Sequence, residues 1–135
     1  MKIQWTNGLS VNNERIDKEH QMYFDLLNNI YAVTTQGASK ERTVRLLNEF
    51  VQFVRFHFMT EENLMIDTNY SGCNKHVMAH KYCLESIKTK MFAFRDDTVT
   101  AEEIVDFAVE WFLMHVSAQD KQFGAFLAAQ KTANV

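Results

Sequence analysis

The chain has 135 residues, enough for one domain with a substantial core and too short for two. Proline is absent and glycine occurs only 4 times, which argues against a β-sandwich or barrel and for few turns and long helices. A net charge of −3, from 14 basic and 17 acidic residues with no concentrated basic run, argues against a nucleic-acid partner. No apolar stretch approaches the roughly 18 residues of a membrane span, so no membrane insertion is expected. The N-terminus lacks the apolar core of a signal peptide, and the expected location is cytoplasmic.

Residues 1–16 show no period and read as an N-terminal arm that Trp5 packs across the helices. The first helix is expected over about 17–36, with Ile16, His20, Phe24 and Leu27 on one stripe, Asp17 as N-cap and Gly37 as stop. The second is expected over about 39–66, with Phe50, His57, Glu61 and Leu64 on its stripe. Asn69-Tyr70-Ser71-Gly72 reads as a turn. The third helix is expected over about 74–94, carrying His76, His80, Cys83, Ile87 and Met91 on one face. After the polar link Arg95-Asp96-Asp97, Thr100 to Glu103 form a capping box that opens the fourth helix, expected to run to about 118. A short C-terminal segment follows to 130, and the tail from Lys131 is expected to fray. Helices of this length are roughly 30 Å long, and links this short make neighbours antiparallel. The expected fold is therefore all-α, an up-down-up-down four-helix bundle forming a single domain over 1–135.

All 5 histidines fall on these apolar stripes. Five buried imidazoles with no common partner would leave many polar groups to satisfy, each costing of order 1–3 kcal/mol if unmet. A shared metal satisfies them together. His57 and Glu61 are four apart, as are His76 and His80, so each helix offers two ligands to one point. Glu62 is rotated about 100° from Glu61 and is expected to face solvent. His20 adds a ligand from the first helix and His115 one from the fourth. Asp120 follows His115 by five, which leaves it open: it reaches the site only if the helix end is distorted there or the side chain swings inward. Two cysteines make no disulfide framework or C-x-x-C site. Cys83 is expected to be a small core residue and Cys73 to lie in a loop.

Five imidazoles and one or two carboxylates exceed the four ligands of a lone zinc. They suit two metal ions, and the nitrogen-rich set favours iron over magnesium or calcium. Phe24, Phe53, Phe58, Leu64, Trp111 and Phe112 are expected to keep water out. A dry pair of ferrous ions with one open position can pass electrons to dioxygen. A zinc-protease His-Glu-x-x-His element and a Gly-rich phosphate loop are both missing. No nucleophilic triad is evident.

The segments Ile16 to His20, His57 to Glu62 with Leu64-Met65, His76-x3-His80 and Trp111-x3-His115-x4-Asp120 together resemble the hemerythrins, specifically the single-domain bacterial kind. The resemblance spans about residues 5–125. It implies two Fe ions (Fe2+/Fe3+) with an oxo or hydroxo bridge. His76, His80 and His115 would bind one iron, and His20 and His57 the other, which holds dioxygen as a hydroperoxide. Glu61 and Asp120 would bridge them. Tyr23, Phe24, Phe58, Trp111 and Phe112 would line the dioxygen pocket. Tyr23 and Phe112 stand where the family usually has an aliphatic residue and leucine. Phe112 could narrow the pocket, and Tyr23 could offer a phenol to the bound gas, unless both merely repack the core.

The expected function is reversible dioxygen binding as a carrier or store, without enzymatic activity. The balance of five histidines to two carboxylates stabilises high-valent iron less than the carboxylate-rich ferritin-like sites do. The alternatives are a sensor of oxygen, nitric oxide or redox state, a di-iron peroxidase or nitric-oxide-reducing enzyme, and a structural metal site. A monomer is expected, with any recipient or signalling partner unknown.

Overall fold

The computed structural model describes residues 2–133. Four long helices form the bundle: α1 (Glu14–Thr35), α2 (Lys40–Asp67), α3 (Cys73–Arg95) and α4 (Ala101–His115). Each packs on its sequence neighbour, and α4 closes the ring on α1. A π-helical turn, Val116–Asp120, joins α4 directly to α5 (Lys121–Ala133). The all-α bundle with an N-terminal arm is the expected architecture.

Caps set the helix ends. Asn13, not Asp17, caps α1, its side chain accepting from the Ile16 N–H. Asp17 instead holds the arm, accepting from the Val11 N–H at 2.9 Å and from the Ser10 hydroxyl. Gly37, with φ +84°, takes the left-handed turn after α1 that a Cβ would strain. Ser39 caps α2, and Thr100 with Glu103 completes the capping box of α4.

The core runs the length of the bundle through Ile16, Leu27, Leu47, Phe50, Ile87 and Ile104, all buried. The arm lies across it. Asn28 accepts from the Lys2 and Ile3 N–H groups and donates to the Ile3 carbonyl, a short run of strand-like bonds made by a side chain. Trp5 sets its ring 5.9 Å from that of Phe24. A Cβ on Gly124 would fall 2.2 Å from the Val11 carbonyl oxygen, so glycine is what lets α5 and the arm touch.

The helical run that begins with α4 does not stop near 118 but continues to 133. Nothing in the sequence breaks it, and Phe123 and Phe126 pack against Tyr70, each with ring centroids 4.9 Å away. Cys83 is buried as expected. Cys73 is half-buried and opens α3 rather than lying in a loop. No helix among the described residues is long and apolar enough to cross a membrane.

Candidate metal centre

Each helix of the ring delivers its histidines inward at the same depth. His20 comes from α1, His57 and Glu61 from α2, His76 and His80 from α3, and His115 from the end of α4. All are buried, with exposures between 0 and 6%. The i, i+4 pairs work as the spacing requires: His57 Nε2 lies 2.9 Å from Glu61 Oε2.

Asp120 enters through the π turn. A π turn closes i to i+5, so the residue five after His115 takes the place that i+4 holds on a regular helix. Asp120 is 3% exposed, with Oδ1 2.9 Å from His76 Nε2 and 3.0 Å from His115 Nε2. The distortion that the sequence left open is present, and π turns of this kind recur at functional sites.

The two carboxylates share one arrangement. Glu61 points Oε1 at His76 and His80, 3.1 Å from each, and Oε2 at His57 and at His20, which is 3.4 Å away. Asp120 points Oδ1 at His76 and His115 and Oδ2 at His20, 3.3 Å away. Each carboxylate thus divides its two oxygens between a three-histidine group and a two-histidine group. Two sets of ligand atoms, Glu61–His76–His80–His115–Asp120 and His20–His57–Glu61, each converge within 4.8 Å and could hold a metal ion.

These atoms crowd together without satisfying one another. His20 Nε2, Glu61 Oε2 and Asp120 Oδ1 are buried with no directed hydrogen bond, although each has close neighbours. His115 Nε2 and His76 Nε2 face each other at 3.1 Å. Donors that are near but misdirected toward each other are aimed at a common point, and the donor set fits a pair of metal ions there. An unmet polar group in such an interior costs of order 1–3 kcal/mol, which a bound cation removes.

The charges are strongly coupled. Burial alone would raise Glu61, but His57, His20 and His76 reverse that and hold it well below the usual carboxylate range. Asp120 is also held low: burial and Glu61 push it up, and His115, His20 and His76 outweigh both. Burial disfavours the charged imidazole of His57, yet Glu61 and Glu19 raise it to about 10. His76 rises to about 9 against the same burial, through Asp120 and Glu61. Protons therefore compete with a metal for these nitrogens, and metal binding must release them.

Two flanking carboxylates escaped the sequence reading. Glu19 lies 2.8 Å from His57 Nδ1, and Glu62 lies 2.8 Å from His80 Nδ1. Glu62 is not turned out to solvent: its side chain is 29% exposed and folds back over His80. Each accepts the Nδ1–H and so leaves Nε2 free to bind. Their only trace in the sequence is position, one residue before His20 and one after Glu61. Glu19 is tied in turn to Arg15 at 3.0 Å and to Thr60 at 3.2 Å.

The five aromatic residues expected at the pocket surround the histidines. Phe58 stacks flat on His80, centroids 3.8 Å apart, and also lies 6.0 Å from His57, while Trp111 stacks on His115 at 4.4 Å. Phe112 meets His20 edge-on at 4.8 Å, with Phe24 and Tyr23 packed behind it at 4.9 and 4.8 Å. Tyr23 does not offer its phenol inward. Its hydroxyl donates to the Ala108 carbonyl at 2.8 Å, and burial pushes its pKa well above the ordinary value. Phe53 and Leu64, expected in the dry shell, are only half-buried, and Phe53 lines an outer cleft.

Comparison with known proteins bears on the family and the fold. The family model described as the hemerythrin HHE cation binding domain matches residues 11–127. Bacteriohemerythrin of Stenotrophomonas maltophilia (strain R551-3) is 21% identical over 121 residues, covering 90% of this chain and 78% of that protein. Myohemerythrin of Riftia pachyptila is 26% identical over 119 residues, covering 88% of each. A crystal structure of wild-type hemerythrin superposes with a TM-score of 0.83 at 21% identity, covering 91% of this chain and 95% of the other, a likeness of fold.

Proposed function

The chain belongs to the hemerythrin HHE cation-binding family, and from that premise we propose that it binds dioxygen reversibly at a pair of iron ions, as a carrier or store. The observation that carries the reading is the division of Glu61 and Asp120 between three histidines and two. His76, His80 and His115 with one oxygen of each carboxylate would hold one ion, and His20 and His57 with the other oxygens would hold the second. The two-histidine side is thus one protein ligand poorer, and an external ligand has its place there. When bound, two ferrous ions supply the electrons that let dioxygen be held and given back.

The residues around His20 support binding over turnover. Cleaving the O–O bond or reducing nitric oxide consumes protons. Phe112 and Phe24 present only carbon on that side, and the one phenolic proton of Tyr23 is committed to the Ala108 carbonyl. Glu19 holds the His57 Nδ1 proton on the far side of the ring from the metal-binding nitrogen. Glu19 and Glu62 fix the tautomers of His57 and His80, and the rings beside His20 aim no acid at the external ligand.

The test is to load the chain with ferrous iron under argon, count iron per chain and record visible spectra while cycling air and argon. Two irons and a charge-transfer band that comes with air and leaves under argon are expected. A single irreversible change would instead favour an enzyme or sensor. Fewer than two irons would overturn the seven-ligand assignment.

A further inference from the structure

Six methionines lie among the described residues, and they fall into two groups. Met65 and Met91 are buried in the core, at 0 and 8% exposure. Met22, Met59, Met78 and Met114 are exposed, at 46, 60, 71 and 74%. Each of the four stands on a different helix of the ring, beside a candidate ligand: two after His20, two after His57, midway between His76 and His80, and immediately before His115. A step of two residues turns about 200° round a helix and rises only ~3 Å. Met22, Met59 and Met78 are therefore turned outward at the depth of the metal centre, and Met114, one residue from His115, is exposed at the same depth.

Two of them also line clefts that reach residues of the site. A cleft of about 630 Å³ has Glu19, the partner of His57, in its lining, and Met22 lines the same cleft. A groove of about 400 Å³ between α3 and α4 reaches His115 and Trp111, and Met114 lines it. Exposed methionine contributes little to packing, and what it uniquely offers at a surface is an oxidisable sulfur.

We propose that Met22, Met59, Met78 and Met114 form a girdle of sacrificial thioethers that captures hydrogen peroxide escaping from the centre and so protects the imidazole ligands. The proposal rests on the dioxygen reading above. The oxidant is hydrogen peroxide, the two-electron reduction product of dioxygen. One peroxide oxygen passes to the sulfur as the O–O bond breaks. The sulfur is oxidised by two electrons to the sulfoxide, and the other oxygen leaves as water with both protons. Because these side chains are exposed, the polar sulfoxide disturbs no core, and sulfoxide reductases can restore the thioether.

The experiment maps oxygen addition by peptide mass spectrometry on the full chain. Iron-loaded chain is cycled between air and argon, and zinc-loaded chain, which is redox-inert, receives bulk hydrogen peroxide to the same total oxidation. Bulk peroxide should follow exposure, so that Met22 lags the other three. Peroxide from within should bring Met22 forward, marking it together with Met114 over the clefts ahead of Met59 and Met78 and sparing Met65 and Met91. The same order from both sources would overturn the proposal.

A variant with all four changed to leucine (M22L, M59L, M78L and M114L) should form the same oxygenation band in the first cycle. It should then lose iron in severalfold fewer cycles, with oxygen added to His57 or His115. Unchanged endurance would overturn the proposal as well. The visible band judges the dioxygen reading separately. No reversible band in the parent chain defeats both readings, and a reversible band with identical oxidation maps defeats the girdle alone.

Discussion

The two halves of the metal centre are built differently, and the difference is one of closure. On the three-histidine side, Phe58 and Trp111 lie flat against His80 and His115, and three imidazoles with two carboxylate oxygens converge. On the two-histidine side, His20 packs edge-on with Phe112, and only His20, His57 and Glu61 converge, with Asp120 Oδ2 3.3 Å from His20. One half is backed by flat aromatic stacking and is richer in donors, and the other is walled by an aromatic edge and offers fewer. A bundle of four similar helices thus makes an asymmetric site by varying which residue backs each imidazole.

The largest effect expected is from Glu61→Ala, which removes the oxygen pair serving both halves. Metal should be lost from both, and stability should fall by about 3–5 kcal/mol, the usual cost of stranding buried charge partners. Iron per chain and the melting temperature report this. Retention of one metal would show that Glu61 serves one half only.

Phe112→Ala comes next. Removing a buried phenylalanine costs about 3–5 kcal/mol through lost burial and a cavity. It should also speed azide exchange at the two-histidine half in stopped-flow, with iron content kept. Trp111→Ala should leave that rate alone, and equal acceleration by both would erase the distinction between the halves.

Glu19→Gln and Glu62→Gln separate the halves further, since each touches the histidine of only one. Loss of such a partner lowers metal affinity by about 10–100-fold. The more buried Glu19 should give the greater loss, and competition with a chelator measures both. Tyr23→Phe should cost only about 1 kcal/mol, one neutral hydrogen bond, with oxygenation unchanged. A changed oxygen affinity would mean that the phenol reaches the external ligand after all.

The smallest effect concerns the thiols. Burial raises Cys83 to about 12 from 9.0. Because its folded value is the higher one, its contribution to stability is complete below pH 9 and falls as the pH rises toward 12. A thiol reagent at pH 8 should label Cys73 and reach Cys83 only on unfolding. Ready labelling of Cys83 would mean that the interior behind His80 is not dry.

Much of the site was legible because helical periodicity reports which face a residue occupies. His20, His57, Glu61, His76, His80 and His115 could be placed on inward faces from spacing alone. Periodicity assumes a regular helix, so spacing left Asp120 open; the family resemblance alone assigned it, and the π turn supplies the physical reason. It is also blind to partners across the bundle. Glu19 and Glu62 are off the inward stripe, and only the neighbouring helix shows that each reaches back to a histidine. The same blindness hid which imidazole each aromatic ring backs: Trp111 stacks on His115, Phe112 meets His20, and Phe58 lies against both His80 and His57.

The sequence by itself determined the all-α fold, the helix faces and the family, because these depend on local spacing and on the order of motifs along one chain. Only the tertiary structure decided how two carboxylates divide four oxygens among five histidines, and which half is closed. Those depend on distances between helices, which no pattern within a single helix records.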